Sequence, residues 1–165
     1  MLTGQNLYRG SGEVLFISDA PLEVIKAESS KLKGIVDLDK LKFAFKIQVI
    51  SFEGFNSALQ KDHFNEHYLE TDKYPEATFT GIIILDETCS SDCTTSGIFK
   101  GKFSIHNESK IEAIPVSFKI KDNSIFISSQ FSVLLSDYNI KIPRIVQSKI
   151  SPEIDVAIEA RLDNI

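Results

Sequence analysis

Apolar and polar residues alternate along most of the chain, and the alternation is clearest over residues 41–49, LKFAFKIQV. A period of two places successive side chains on opposite faces of a strand, so this segment predicts a β-strand with one buried face. The same pattern returns at residues 12–18, 30–38, 76–86, 96–106, 110–121, 124–136 and 150–162. Together these segments predict about eight antiparallel strands.

Turn-forming residues fall between the alternating segments. The sequences DLDK at 37–40 and KDNS at 121–124 are rich in Asp and Asn, which predicts hairpin loops joining neighbouring strands. Two other segments predict short helices. One runs from Pro21 to Lys26, where Pro suits the first helical turn, and the other runs from Asn56 to Glu70.

A long polar connection at residues 51–81 interrupts the strand pattern. Long connections in compact domains are usually either functional or disordered. Disordered segments lack aromatic anchors, whereas this connection has several. The anchors are Phe52, Phe55, Phe64, Tyr68 and Tyr74. The connection is therefore predicted to fold as a cap.

Many of the predicted strands exceed the usual strand length of about five or six residues, and long strands need protected edges. Closing the sheet is the simplest protection, which predicts an all-β, antiparallel barrel with one or two short helices. Its inward face is almost wholly apolar and forms either a packed core or the wall of a ligand cavity. The candidate cavity-lining residues are Phe43, Phe45, Ile47, Phe79, Ile83, Phe99, Phe103, Ile114, Val116, Phe118, Phe131, Val133, Ile154 and Val156.

Composition narrows the class of protein. With 165 residues, 42% hydrophobic and 25% charged, the chain suits a single domain spanning residues 1–165. A net charge of −5 argues against a nucleic-acid partner, because nucleic acids bind clustered Lys and Arg. No apolar run approaches the ~20 residues of a membrane-spanning helix. The first residues have no basic start or apolar segment, so either the protein is cytosolic or an export signal was removed.

The two cysteines, Cys89 and Cys93, lie close together in a Ser- and Thr-rich stretch. In an oxidising compartment they would form a small disulfide across a loop. A zinc site is disfavoured, because two thiols without adjacent histidines cannot complete a tetrahedron. No metal or cofactor is predicted.

Sequence motifs for catalysis are missing, including the Gly-rich phosphate loop, the Gly-x-Ser-x-Gly elbow and the His-Glu-x-x-His metal pair. His63 and His67 are spaced to share a helix face, which suits a metal or acid–base chemistry. No third ligand accompanies them, so a structural role is favoured for both. The same holds for His106. No catalytic residue is predicted.

Two cations follow a strand end near residue 140. Lys141 and Arg144 would either contact an acidic head group at a barrel mouth or belong to a solvated turn. Together with His63 and Tyr138 they are the candidate residues for the mouth of the barrel.

Three blocks of sequence resemble the YceI-like family of bacterial lipid-binding proteins and occur in the family's order. The first joins DHF at 62–64 to KYPEATFTG at 73–81, similar to the family's His-Leu pair, Tyr-Pro and aromatic strand. The second is GKFSIH at 101–106, similar to Gly-x-Leu-Thr-x-His-Gly. The third is FSVLLSDYNI at 131–140, with Pro143 shortly after, similar to Leu-Ser-Asp-Tyr-Gly-Ile.

The blocks depart from the family pattern at two turns. Asn107 and Glu108 follow the histidine of the second block in place of a Gly and its successor, and Asn139 replaces the Gly of the third. Asn adopts a positive φ more readily than most residues, so we expect the turn geometry to survive.

The resemblance implies an elongated, lipocalin-like barrel that holds a polyisoprenoid or another amphiphilic chain and is exported to the periplasm. The predicted function is binding of an isoprenoid, a quinone-like lipid or a fatty-acyl chain for transport, storage or stress protection. Two alternatives stay open. One is an enzyme of isoprenoid or quinone metabolism that uses His63 with Glu66 or His106, and the other is a filled barrel that binds a protein partner. The oligomeric state is open, a homodimer included.

Overall fold

The computed structural model describes residues 6–88 and 92–165, which form a closed antiparallel barrel of eight strands. Each strand pairs with the next along the chain, and the last strand pairs with the first. The strands are β1 (Leu7–Asp19), β2 (Val24–Asp37), β3 (Lys42–Gln48), β4 (Glu76–Leu85), β5 (Cys93–Ile105), β6 (Glu108–Lys121), β7 (Ser124–Leu134) and β8 (Glu153–Asn164). The predicted fold class is confirmed.

Burial follows the alternation that predicted the strands. In β6, Ile114, Val116, Phe118 and Ile120 are all buried, and the residues between them are exposed. Every predicted strand segment overlaps an observed strand, although β1 and β2 begin several residues earlier than the pattern indicated. Gly and Ser residues weaken the alternation there. Pairing of β1 with β8, and with β2 on both sides of an irregularity between Gly12 and Val14, extends the strands.

Both predicted hairpin loops are present. Between β6 and β7, Asp122 and Asn123 have φ angles of 53° and 63°, the left-handed geometry that a tight two-residue hairpin requires. Between β2 and β3, Oδ1 of Asp37 accepts hydrogen bonds from the backbone N–H groups of Asp39 and Lys40, at 3.0 and 2.9 Å. These side-chain bonds stabilise the turn.

The predicted helix from Pro21 to Lys26 is wrong. The chain makes a turn in which the N–H of Ala20 donates to the carbonyl of Glu23 at 3.0 Å, and β2 begins at Val24. Val24 and Ile25 pair with the end of β1. β-Branched residues favour a strand, and this pairing outweighs the weak helix signal of Pro21.

The connection between β3 and β4, residues 49–75, is called the cap below. It contains a 3-10 turn (Val49–Ser51) and helix α1 (Ala58–His63), which continues as a wider π-helical turn (Phe64–Tyr68). The hydroxyl of Ser57 accepts a hydrogen bond from the N–H of Gln60 at 3.1 Å and so begins α1. The prediction of a helix within residues 56–70 is confirmed.

A second connection, residues 135–152 between β7 and β8, contains 3-10 turns at Leu135–Tyr138 and Arg144–Val146. The N–H of Leu22, in the β1–β2 turn, donates to the carbonyl of Ser148 at 2.8 Å. The cap, the β1–β2 turn and the β7–β8 connection therefore gather at the same end of the barrel.

Strands β6 and β7 pair over only part of their length. Their ladder runs from Ser117 opposite Ser128 down to the hairpin, and Pro115 has no N–H to continue it. The hydroxyl of Ser129 donates to the carbonyl of Pro115 at 2.7 Å and bridges the strands where the ladder stops. The β6–β7 ladder therefore covers only the hairpin ends of these two strands.

Among the helices of residues 6–88 and 92–165, none has the length and apolar character needed to cross a bilayer.

Candidate functional site

The barrel interior is divided into a packed half and a hollow half. The packed half, called the plug below, lies at the end where β6 turns into β7. The rings of Phe43 and Phe99 stack there with centroids 4.3 Å apart, and Phe118 packs 5.4 Å from Phe99. Val36 and Leu162 have no exposed surface. The expectation of a filled core therefore describes this half of the interior.

Beyond the plug lies a cavity of about 440 Å³. Many of the predicted lining residues border it, and they come from six of the eight strands. They are Phe45, Ile47, Phe79, Phe99, Phe103, Ile114, Val116, Phe131, Val133, Ile154 and Val156. The other predicted lining residues, Phe43, Ile83 and Phe118, are buried in the plug. Alternation identifies the inward face of a strand but not the level at which the interior closes.

Sequence reasoning missed two parts of the cavity wall. Val14, Phe16 and Leu32 line it from β1 and β2, where Gly and Ser obscure the alternation. Apolar residues of the cap and of the β7–β8 connection complete it, namely Leu59, Phe64, Tyr68, Leu69, Leu135, Ile140, Ile142, Val146 and Ile150. In the sequence, the aromatic anchors of the cap were the feature that could have indicated this part of the cavity wall.

Four phenylalanines join the cap to the barrel. Phe16 of β1 lies 5.1 Å from Phe52, 6.1 Å from Phe55 and 5.5 Å from Phe64 between ring centroids. Phe55 and Phe64 lie 4.9 Å apart. Such aromatic contacts add to the burial of the rings, so the cap covers the cavity as a packed roof.

Polar side chains of the lining concentrate beside the roof. Oε2 of Glu23 accepts hydrogen bonds from Nδ2 of Asn56 at 2.9 Å and Nε2 of Gln60 at 2.6 Å. The hydrogen bond from Asn56, then that from Gln60, and the charge of Lys149 lower the pKa of Glu23. Glu23, Gln60 and Lys149 all border the cavity. This end is therefore its polar mouth.

His63 also borders the cavity, and its ring centroid lies 5.5 Å from that of His67. His67 is exposed and does not line the cavity. Among the described residues, no three His, Cys, Asp or Glu side chains are grouped to hold a metal ion. Of the four residues that the sequence analysis named for the mouth of the barrel, His63 borders the cavity.

The other candidate mouth residues lie elsewhere. Tyr138 is 1% exposed, and its hydroxyl donates to Oε1 of Glu112 at 2.9 Å. Burial, and then this hydrogen bond, raise the pKa of Tyr138. Its ring packs against Phe103, 5.3 Å away, on the wall of the barrel. Lys141 and Arg144 are exposed and do not line the cavity, although the neighbouring Ile142 does.

His106 connects three segments above the cavity. Its Nδ1 lies 3.0 Å from the carbonyl oxygen of Tyr138, and its Nε2 lies 2.7 Å from Oε2 of Glu70 in the cap. The ring of Tyr74 meets it edge-on at 5.3 Å. The hydrogen bond from His106 is the main cause that lowers the pKa of Glu70. Sequence reasoning left Glu70 without a role, because its partner lies far away in the chain.

Cys89 lies outside the described residues, so its disulfide with Cys93 stays a prediction.

Residues 13–162 match the model of the YceI-like domain. The chain belongs to the YceI-like family. A search among curated proteins found no match. Solved structures of low sequence identity share the fold of this YceI-like domain.

A polyisoprenoid binding domain from Saccharophagus degradans, implicated in plant cell wall breakdown, has a TM-score of 0.81 at 11% identity, covering 98% of this chain and 99% of that chain. BcnA from Burkholderia cenocepacia has a TM-score of 0.75 at 16% identity, covering 91% of this chain and 95% of that chain. The YCEI protein of Campylobacter jejuni has a TM-score of 0.65 at 17% identity, covering 86% of this chain and 85% of that chain.

The three sequence blocks that resemble the family include residues that connect the cap and the β7–β8 connection to the barrel. Asn107 and Asn139, which replace family glycines, have φ angles of 60° and 54°. The expectation that these turns keep their geometry is confirmed. His106 and Tyr138 make the contacts that hold the cap and the β7–β8 connection over the barrel.

Proposed function

We propose that this YceI-like domain binds a long-chain apolar ligand, an isoprenoid, a quinone-like lipid or a fatty-acyl chain, inside the barrel. The observation that carries the proposal is the cavity of about 440 Å³ between the plug and the roof. Its volume falls within the range of small-molecule sites, and its wall is built from aliphatic and aromatic side chains. Such a wall has few partners to offer a polar ligand.

Hydrophobic burial is sufficient to drive this binding. Each methylene transferred from water contributes roughly 0.8 kcal/mol, before the costs of association are subtracted. The two buried hydroxyls of the wall already have partners, because Ser129 donates to Pro115 and Ser18 accepts from the N–H of Ser151. The ligand therefore needs no hydrogen bonds within the cavity.

The solved structure from Saccharophagus degradans supports the choice of an isoprenoid, since it is described as a polyisoprenoid binding domain. At 11% identity the likeness concerns the fold. The ligand class for this chain follows from its own apolar cavity.

An enzymatic function has less support from the geometry. The enzyme alternative needs His63 to meet Glu66 or His106 at the substrate. Only His63 borders the cavity, because Glu66 is exposed and both nitrogens of His106 face other partners. The filled-barrel alternative is disfavoured by the hollow half of the interior.

For the cellular role, we propose transport, storage or stress protection outside the cytoplasm, in the periplasm or as a secreted protein. Two sequence features support this location: the resemblance to an exported family and the closely spaced Cys89 and Cys93.

The test is extraction of the purified protein with organic solvent, followed by mass spectrometry of the extract. We expect an isoprenoid, quinone-like or fatty-acyl lipid in about one copy per chain. Val116→Trp is the control, because Val116 borders the cavity and a larger ring there takes the place of the ligand. Equal lipid in both extracts would indicate adsorption to the surface. No lipid in the wild type after several expression conditions, and no rebinding afterwards, would refute the proposal.

A further inference from the structure

Two large apolar side chains at the mouth end of the barrel are exposed and lie outside the cavity wall. Ile145, in the β7–β8 connection, is 89% exposed, and Leu22, in the β1–β2 turn, is 72% exposed. Among the described residues these are the two most exposed large apolar side chains. The N–H of Leu22 donates to the carbonyl of Ser148 at 2.8 Å, so the segments that carry them are bonded to each other.

The segment from Lys141 to Val146 lies between the cavity and solvent. Ile142 and Val146 border the cavity, whereas Lys141, Arg144 and Ile145 are exposed. The segment therefore has an apolar inner side and an outer side on which two cations accompany an exposed isoleucine. These cations are open to contacts from outside the protein.

The charge of the β7–β8 connection is opposite to that of the whole chain. The connection contains Lys141, Arg144 and Lys149 but a single acid, Asp137, whereas the chain has a net charge of −5. Lys149 lies near Glu23 at the mouth, so its charge is partly balanced there. Lys141 and Arg144 form no ion pair with a carboxylate of the residues that the structure describes. Both are available to an anionic surface.

Exposed apolar side chains next to unpaired cations suit the surface of a lipid bilayer. The apolar side chains enter the boundary between head groups and acyl chains, and Lys and Arg bind the anionic head groups. A bilayer is favoured over a protein partner, because this surface adjoins an apolar cavity whose proposed ligand is a lipid. The cap has exposed acids, Asp62 and Glu66, which anionic lipids repel, so the cap is placed away from the bilayer.

We propose that Leu22, Lys141, Arg144 and Ile145 form a docking surface for an anionic lipid bilayer. Leu22 and Ile145 insert below the head groups, and the two cations contact the phosphates. Docking holds the mouth of the cavity against the bilayer and shortens the path of an apolar ligand through water, where its exposure is unfavourable. The inference rests on the proposed function, because the bilayer supplies the lipid that the cavity takes.

The test is co-sedimentation of the purified protein with lipid vesicles. One set of vesicles contains phosphatidylglycerol and phosphatidylcholine in about equal parts, and the other contains phosphatidylcholine alone. We expect binding to the anionic vesicles and weaker binding to the neutral ones. Most of the difference should disappear between about 0.1 and about 1 M salt, because the Debye length falls from ~10 to ~3 Å.

Variants of the docking surface separate the two parts of the interaction. Lys141→Gln and Arg144→Gln should each weaken binding to anionic vesicles about fivefold and hardly change binding to neutral ones. Leu22→Ser and Ile145→Ser should each weaken binding to both sets about tenfold, because less apolar surface leaves water. All four side chains are exposed, so the variants should fold.

Matched controls lie at the opposite end of the barrel. Lys119 and Lys121 are exposed and alternate with plug residues of β6, and Ile84, 47% exposed, follows a plug residue of β4. Lys119→Gln, Lys121→Gln and Ile84→Ser should each keep the affinity for vesicles within about twofold of the wild type.

Lipid transfer links the docking surface to the cavity. None of the four docking residues borders the cavity, so their variants should contain as much extracted lipid as the wild type. The rate at which a fluorescent fatty acid passes from anionic vesicles to the delipidated protein should fall in each of them. Val116→Trp should show the reverse, with vesicle binding retained and bound lipid lost.

The outcomes distinguish the docking surface from the proposed function. Vesicle binding that the docking variants lose and the controls keep supports the inference. No binding to anionic vesicles at low salt, or equal losses in docking variants and controls, overturns it and leaves lipid binding by the cavity intact. A wild-type dimer that Ile145→Ser dissociates, without vesicle binding, would assign the surface to a second copy instead. A wild type that binds vesicles but contains no lipid, and takes none up, would refute the proposed function and keep the docking surface.

Discussion

The Nε2 atom of His106 lies 2.7 Å from Oε2 of Glu70, and this contact fastens the cap to the β5–β6 turn. The other ring nitrogen lies 3.0 Å from the carbonyl oxygen of Tyr138. The two ring nitrogens of His106 therefore link the β5–β6 turn both to the cap and to the β7–β8 connection. The His106 side chain is 9% exposed, which strengthens the pairing relative to a surface contact.

We predict that Glu70→Gln loosens the cap. The variant removes the charge that His106 meets, so the melting temperature should fall and amide hydrogen exchange should accelerate in residues 58–69. Lys73→Gln is the control, because Lys73 reaches Glu70 only at 3.5 Å from a side chain that is 70% exposed. Exposed ion pairs contribute little, so its melting temperature should hardly change. Equal effects of the two variants would contradict a special role of His106.

The same pair predicts how stability depends on acid. The pKa of Glu70 lies below its ordinary value of 4.5 in the folded protein, mainly through the hydrogen bond from His106. The unfolded chain therefore binds the proton more readily, and this part of the stability is present above pH 4.5 and lost as pH falls through the lowered pKa.

Glu70→Gln isolates this contribution from that of other carboxylates. The melting-temperature difference between wild type and variant should be constant at neutral pH and vanish in acid, where Glu70 is itself uncharged. Thermal unfolding across the acid range measures it. A difference that persists below the lowered pKa would show that the carboxylate charge is not what the variant removes.

Asn139 tests the geometry of the turn after β7. It is exposed, with φ 54° and ψ 32°, and its N–H bonds to the carbonyls of Leu135 and Ser136. Asn139→Ala should destabilise the protein by about 1 kcal/mol, because alanine lacks the short polar side chain that lets Asn adopt the left-handed conformation. Asn139→Gly should stay within about 0.5 kcal/mol of the wild type. Denaturant unfolding measures both. Similar losses in the two variants would assign the effect to a lost contact of the Asn side chain rather than to the backbone conformation.

Strand number, order of hairpins and the inward face were predictable, because each depends on local alternation and turn chemistry. The buried series through Ile114, Val116, Phe118 and Ile120 is visible in the sequence itself. Alternation does not show that Val116 borders the cavity while Phe118 belongs to the plug. That distinction arises from ring packing across the barrel, which involves residues distant in sequence.

The mouth was harder to predict for the same reason. Lys141 and Arg144 suggested a head-group contact by their position near a strand end, but they do not line the cavity. Glu23 and Lys149 do, and they are brought together by the β1–β2 turn and the β7–β8 connection. Because residues 21–26 were predicted to form a helix, the β1–β2 turn was not predicted.

The cysteines give a prediction that rests on the proposed location outside the cytoplasm. Cys89 and Cys93 should form a disulfide. The loop that it closes is much shorter than about 15 residues, so its contribution to stability should be at most the ~3 kcal/mol expected for a loop of that length. Maleimide labelling of unfolded, non-reduced protein from the periplasm should modify neither thiol, and prior reduction should expose both. Cys93→Ser should then leave Cys89 reactive. Two reactive thiols in the non-reduced wild type would rule the bond out.

The boundary between cavity and plug gives the last prediction, which compares Val116→Phe with Ile120→Phe. Both residues lie on the inward face of β6 and are 5% exposed, but only Val116 borders the cavity. Ile120→Phe should overpack the plug and cost about 1–3 kcal/mol while lipid is retained. Val116→Phe adds more volume, yet it should cost less, because the ring enters the space of the ligand and reduces bound lipid. Thermal unfolding and the amount of extracted lipid, measured on both variants, test this difference. The opposite order of stabilities would place the floor of the cavity above Val116.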